Sequence, residues 1–499
     1  MVPDETFYGI MQHSKLNLSR RGLVPRLFPD GFLWGTAVSS FQAEMGRGES
    51  ASASDWWTWV HDAVNISGGR VSGEFPEDGP GFWELYPGDL RLAKEELGNN
   101  AVRLSIDWAR IFPASTEAVE VDVKNDGSGN ILGIVVDEEA MRGLEGLADA
   151  AAVRRYREIL SEARRLRLKV MLTLFHWPLP AWLHDAVACR DDVANAGRKG
   201  WLDEATLVEF AKYAAYAGHH FGDLVDLWAT VNETRIASEY AYLRGEFPPG
   251  LRDFDLFMTA YRNLSAAHGF AYEQLKRWAP SPGGGGTKVG VVAVLQYYEP
   301  ENPDDPRDVA AAKFNEYLWN EWSLNAVTRG DYDMDLDGVA GPGERLPHLA
   351  KGCDFIGVNH YLRQRVRHGE SRLGEHLKGG DCSDIGWEIH PQGLRLVLDW
   401  VWRRYRLPVY VTENGIADAS DSKRVRYLLG YLDELHRAVT EDGVPVRGYF
   451  HWTLMDSYEW NRGFGTRFGL YCVDAATKER VPTRTVPVYR EICSSNSLP

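Results

Sequence analysis

The chain has 499 residues, 44% hydrophobic and 25% charged, a balance ordinary for a globular protein and ample for a large core. Its formal net charge of -16 argues against nucleic acid or an anionic membrane as partner, because phosphate-binding surfaces need a basic excess. Five scattered cysteines without a CxxC pair argue against a disulfide framework and structural zinc, and no apolar run approaches the roughly 20 residues of a membrane span.

In chain order, residues 1–27 read as an amino-terminal extension that lacks the long apolar core of a signal peptide, so a soluble, cytoplasmic protein is expected. One domain is expected over 28–499. Its candidate strands are "FLWGTAVSS" (32–40), "AVRLSIDW" (101–108), "KVMLTLFHW" (169–177) and "LWATVNE" (227–233). Four more follow: "KVGVVAVLQYY" (288–298), "CDFIGVNHY" (353–361), "LPVYVTENG" (407–415) and "VRGYFHWTLMD" (446–456). Amphipathic helical patterns lie between them, over 151–168, 205–222 and 424–442. The polar, acidic segment 114–147 is expected as an extended loop excursion, and "SPGGGG" (281–286) as a surface loop. Apolar strands alternating with helices imply a parallel sheet covered on both faces. Eight of them give an α/β fold, a single (β/α)8 TIM barrel with extended loops at the carboxyl-terminal face of the strands.

In such a barrel the reactive groups stand at the carboxyl ends of strands. The first strand leads into Gln42, the second contains Arg103 and the third ends at His176 and Trp177. The fourth ends in Asn232 and Glu233, the sixth in Asn359, His360 and Tyr361, and the seventh in Glu413. The eighth leads to Trp452, with Glu459 and Trp460 in the following loop. Singly, each has a plain structural reading: a solvated strand-end acid, a core histidine, a packing tryptophan, half an ion pair. Seven strand ends converging on one face do not. Two carboxyls facing one pocket are what glycosidic cleavage needs, one to protonate the leaving oxygen and one to attack the anomeric carbon or activate water. Their environments must separate their protonation states. Arg103 and Tyr361 are expected to hold one acid as the anion, while Asn232, Gln42, His176 and Glu459 offer hydrogen bonds to hydroxyls and Trp452 and Trp460 offer stacking faces.

The fragments "FLWGTAVSSFQAEMG" (32–46), "RLSIDWARIFP" (103–113), "FHWPLPAWL" (175–183), "TVNE" (230–233), "DFIGVNHY" (354–361), "VTENG" (411–415), "HWTLMDSYEW" (451–460) and "GTRFGLYCVD" (465–474) occur in this order. In them the chain resembles glycoside hydrolase family 1, the retaining β-glycosidases, and among these the archaeal, thermostable enzymes of hyperthermophiles. The resemblance implies that Glu233 is the acid/base and Glu413 the nucleophile, with Arg103 and Tyr361 orienting the nucleophile. It implies that Gln42, His176, Asn232, Trp452 and Glu459 hold the non-reducing sugar. Trp177, Trp460 and Phe468 join them as substrate-binding side chains, and Trp387 belongs to the leaving-group region. The implied activity is hydrolysis of terminal β-D-glucosides and β-D-galactosides by double displacement, with transglycosylation, on small glycosides and oligosaccharides. No cofactor or metal is expected, and the resemblance implies a homo-oligomer, a tetramer.

Two departures from the family pattern stand out. Thr234 follows the acid where the family has Pro, which is expected to free the loop after the fourth strand. His360 replaces a Tyr and is expected to point away from Tyr361. Glu459, Thr466 and Phe468 stand where phosphoglycosidases keep Ser, Lys and Tyr, so an unphosphorylated sugar is expected. Glu233 itself is the position that thioglucosidases change to Gln. The alternatives are an inert sugar-binding barrel, opposed by both intact acids, and a metal-dependent hydrolase, opposed by the lack of His-x-His or HExxH spacing.

Overall fold

Eight aliphatic, β-branched runs form the strands β1 (Leu33–Val38), β2 (Ala101–Ser105), β3 (Lys169–Phe175), β4 (Leu227–Asn232), β5 (Lys288–Val294), β6 (Phe355–Asn359), β7 (Val409–Asn414) and β8 (Val446–Trp452). In this computed structural model, which describes residues 26–46, 53–127 and 130–499, each strand pairs in parallel with its sequence neighbours, and β8 pairs with β1. The result is a closed barrel without edges, surrounded by helices. Nearly every strand residue is buried, which is why the strands read as continuous apolar runs and not as alternating ones. The extension expected at the amino terminus falls almost wholly outside the described residues.

The outer layer follows helical periodicity. Helix α1 (Ala150–Arg165) starts at Asp149, whose carboxylate accepts from the backbone N–H of Ala151 and Ala152, and it buries Val153, Tyr156, Ile159, Leu160 and Ala163 at three- and four-residue spacing. Helix α2 (Ala205–Phe221) packs on α3 (Phe254–Trp278), and both helices bury alanines, among them Ala214, Ala217, Ala260 and Ala267. Helices α4 (Pro391–Tyr405) and α5 (Arg424–Thr440) pack against each other. At the base, residues 26–27 pair antiparallel with 497–498. Among the described residues, no helix is long and apolar enough to cross a membrane.

The segment over 114–147 is more ordered than the expected loop. Residues 122–125 and 131–135 pair as an antiparallel hairpin, and the helix Glu138–Glu145, capped by Asp137, buries Ala140, Met141 and Leu144. Its few apolar residues suffice because one face alone is covered. Thr234 also departs from expectation: it is 2% exposed and opens the short helix Thr234–Ser238, whose Ser238 hydroxyl donates to the Thr234 carbonyl. His360 is fully buried, with Nδ1 at 2.7 Å from the Leu295 carbonyl and its ring against Tyr431.

Candidate active site

The strand ends that carry the two acids and Asn359 are irregular. Register shifts fall between Ala229 and Asn232 in β4, at Val358/Asn359 in β6 and between Val411 and Asn414 in β7. Such bulges re-aim side chains at barrel rims. Glu233 lies just past β4 at φ 54°, and the site residues Trp177 and Trp460 also have positive φ, at 88° and 52°. Non-glycine residues in this region store about 1–3 kcal/mol each, a load that functional sites carry.

Arg103, rising from β2 into the barrel, organises the floor. Its Nη1 donates to Glu413 Oε1 at 2.5 Å, its Nη2 to Asn232 Oδ1 at 2.7 Å and its Nε to Thr173 Oγ1 at 3.3 Å. Tyr361 donates from its hydroxyl to the other Glu413 oxygen at 2.6 Å. Burial and the nearby Glu413 charge push the Tyr361 phenol well above its usual range, so it stays a donor. Glu233 has a different environment. Asn359 Nδ2 donates to Glu233 Oε1 at 2.7 Å, and Thr412 fixes that amide by donating to Asn359 Oδ1 at 2.7 Å. Burial, and then the Glu413 charge, push the Glu233 carboxyl up to about 8. The two acids therefore stand in unlike settings: one takes a guanidinium and a phenol, the other a neutral amide.

One-way donation also sets the sugar-facing groups. Arg103 holds Asn232 by its oxygen, so the Asn232 amino group faces His176 Nε2, 3.3 Å away. Nε2 thus accepts, and the neutral ring carries its proton on Nδ1. Burial and Arg103 keep the His176 imidazole well below its usual range. Gln42 donates to Glu459 at 3.1 Å, and enclosure within the protein pushes the Glu459 carboxyl up to about 8. His176 stacks on Trp452 and Trp460, while Trp177 packs beside Trp460 and donates to the Asn232 carbonyl. Trp387 and Phe468 lie against Tyr361 and each other.

These groups border a cleft at the carboxyl ends of the strands, where apolar and aromatic side chains alternate with a few polar ones. Glu233, Tyr361, Trp177, Trp387, Glu459 and Trp460 line it directly. Gln42, Arg103, His176, Asn232, Glu413, Trp452 and Phe468 are all nearly buried. Sequence reasoning placed Asn359 at a strand end without giving it a partner, and it missed Thr412, Thr173 and the cleft residue Gln296. Asn359 was the one with a signal, as another polar residue ending an apolar strand.

Groups that could hold a cation lie elsewhere among the described residues: Glu145 with His219 and His220, Asp305 with Asp308 and His368, and Asp333 with Asp335 and Asp337. The last begins "DMDLDGVAGPGE" (333–344), which has the spacing of a calcium loop. None of these side chains lines the cleft.

The family model described as "Glycosyl hydrolase family 1" matches residues 24–124 and 142–498. The chain is 37% identical over 505 residues to a β-galactosidase of Pyrococcus woesei, covering 95% of this chain and 98% of that one. It is similar to the crystal structure of the β-glycosidase from the hyperthermophile Thermosphaera aggregans, with a TM-score of 0.88 at 36% identity over 95% of this chain and 98% of that one. It is also similar, with a TM-score of 0.84 at 37% identity over 95% and 97% of the two chains, to a β-glucosidase mutant derived from a hyperthermophilic tetrameric structure.

Proposed function

From a chain that belongs to glycosyl hydrolase family 1, and that hydrolyses β-glycosides through a covalent intermediate, we infer that Glu413 is the nucleophile and Glu233 the acid/base. The observation that carries this assignment is the split between the two carboxyls. Arg103 and Tyr361 both donate to Glu413, and among the described residues no such pair serves Glu233, whose carboxyl is pushed up to about 8. Glu413 attacks the anomeric carbon while Glu233 protonates the departing oxygen. Ester formation removes the negative charge on Glu413, and with it one of the causes that raise Glu233. The Glu233 carboxyl then shifts toward the anion and takes the proton of the incoming water, or of a sugar hydroxyl in transglycosylation.

Gln42, His176, Asn232, Trp452 and Glu459 hold the non-reducing sugar in this reading, with Trp177, Trp460 and Phe468 around it and Trp387 toward the leaving group. Terminal β-glucosides and β-galactosides are the substrates, in keeping with the galactosidase and glucosidase named among the relatives. A homo-tetramer is part of the same proposal, supported by the hyperthermophilic tetrameric structure from which the β-glucosidase mutant derives. A cytoplasmic location is supported by five free cysteines.

Glu413→Gly tests the roles. It should abolish hydrolysis and leave space beside the anomeric carbon, and azide entering that space should restore cleavage of an activated aryl glucoside as the α-glycosyl azide. Glu233→Gly with azide should give the β-glycosyl azide, formed from the covalent intermediate. Exchanged anomers would reverse the assignment.

A further inference from the structure

We propose that Gln296 recognises the leaving group, its side-chain amino group donating a hydrogen bond to an oxygen of a departing sugar; the proposal rests on the glycosidase reading above. Gln296 follows β5 and lines the cleft alongside Glu233 and Trp387. The lining of the same cleft includes the apolar side chains of Ile236, Val294, Leu362 and Ile385. An oriented donor in such a wall discriminates strongly, because a partner that offers no acceptor leaves it unpaired.

A buried relay fixes the orientation. Glu239, 1% exposed, accepts from Arg235 Nε at 2.8 Å and from Arg244 Nε at 2.7 Å. Arg235, two residues beyond Glu233, lies over the Trp319 ring and donates from Nη1 to the Tyr298 hydroxyl at 3.0 Å. A guanidinium only donates, so the Tyr298 oxygen accepts and its own proton must go elsewhere. It goes to Gln296 Oε1, at 3.0 Å. The amide oxygen is thereby committed to the wall, and the amino group is what remains for the cleft. Asn320 pins the backbone of the same residue, accepting from Gln296 N–H at 3.1 Å and donating to its carbonyl at 2.7 Å. Arg235 and Tyr298 are positioning residues in this scheme, and Gln296 alone touches substrate. A second sugar brings ring and hydroxyl oxygens to this wall, whereas an apolar aryl group brings none.

The test compares kcat/KM for a β-linked glucose disaccharide with that for an aryl β-glucoside. Turnover of the aryl glucoside by the parent enzyme tests the glycosidase reading, and its absence would remove both. In Gln296→Leu the disaccharide-to-aryl ratio should fall about 5- to 10-fold, the size of one hydrogen bond. Tyr298→Phe keeps the ring but leaves the amide oxygen without its donor, so the amide is free to turn and the ratio should fall part of the way. An unchanged ratio in Gln296→Leu, with both substrates affected alike, would overturn the proposal. If that variant did not fold, an unchanged ratio in Tyr298→Phe would overturn it instead.

Discussion

Glu233 is held against its own ionisation, and this has a measurable sign. Burial, and then the Glu413 charge, push its carboxyl up to about 8 from an ordinary value of 4.5. Between those values the folded chain keeps a proton that the unfolded chain releases, so ionisation favours unfolding as pH rises. The penalty is absent below about pH 4.5, grows through neutrality and levels off above about 8. Glu233→Gln removes it. The variant's gain in melting temperature over the parent should therefore be larger at pH 9 than at pH 4, and an equal or opposite difference would show that the carboxyl is not raised. The same variant should lose about 10²–10⁴-fold in rate on poor leaving groups and less on good ones. Such residues were legible because acids, amides and aromatics ended apolar runs. Gln296 was not, because its meaning comes from Tyr298 and Arg235, and nothing local in the sequence brings those side chains together.

At the scale of elements, the loops of the cleft depend on one buried side chain. Arg424 opens α5 at 1% exposure and donates to the carbonyls of Ile416 at 2.9 Å, Asp418 at 2.7 Å, Arg467 at 3.3 Å and Phe468 at 2.9 Å. It thus ties the loop after β7, which follows Glu413, to the loop after β8, which carries Glu459 and Phe468. Arg424→Met would leave those carbonyls without donors, a loss of about 3 kcal/mol or more. The variant should melt at a lower temperature and show a raised KM for aryl glucosides, with a smaller change in kcat. Arg424→Lys should recover only part, since an ammonium cannot span four carbonyls in a fixed fork. A Met variant that melts and binds like the parent would sink this account. The barrel strands themselves were readable, since burial on both faces leaves an uninterrupted apolar run. The hairpin of residues 122–125 and 131–135 was hidden for another reason: its strands are only four and five residues long and largely exposed or half-buried, too short for a periodic signal to stand out from the polar residues around them.

For the whole molecule, electrostatics is at once cohesive and repulsive. Arginines bind pairs of acids across elements: Arg395 with Glu441 and Asp442, Arg404 with Glu316 and Glu321, and Arg363 with Glu299 and Glu388. Networks of this kind matter more at high temperature, where the desolvation of charge weighs less. Yet each chain keeps a formal net charge of -16, so assembly brings like charges together. A tetramer must therefore gain from apolar and polar contact what it loses to repulsion between protomers. Salt decides the balance, since the screening length shortens from about 30 Å at 0.01 M to about 8 Å at 0.15 M. Light scattering at 0.15 M, about physiological ionic strength, should give a mass four times the 56.2 kDa chain. At about 0.01 M salt, where that length is longest, the same preparation should dissociate at a higher protein concentration. Tighter assembly at low salt would mean that cross-protomer ion pairs hold the subunits together despite the net charge. A single-chain mass at every concentration and salt would remove the tetramer from the proposal, while leaving the chemistry of the cleft, which each barrel contains in full, unaffected.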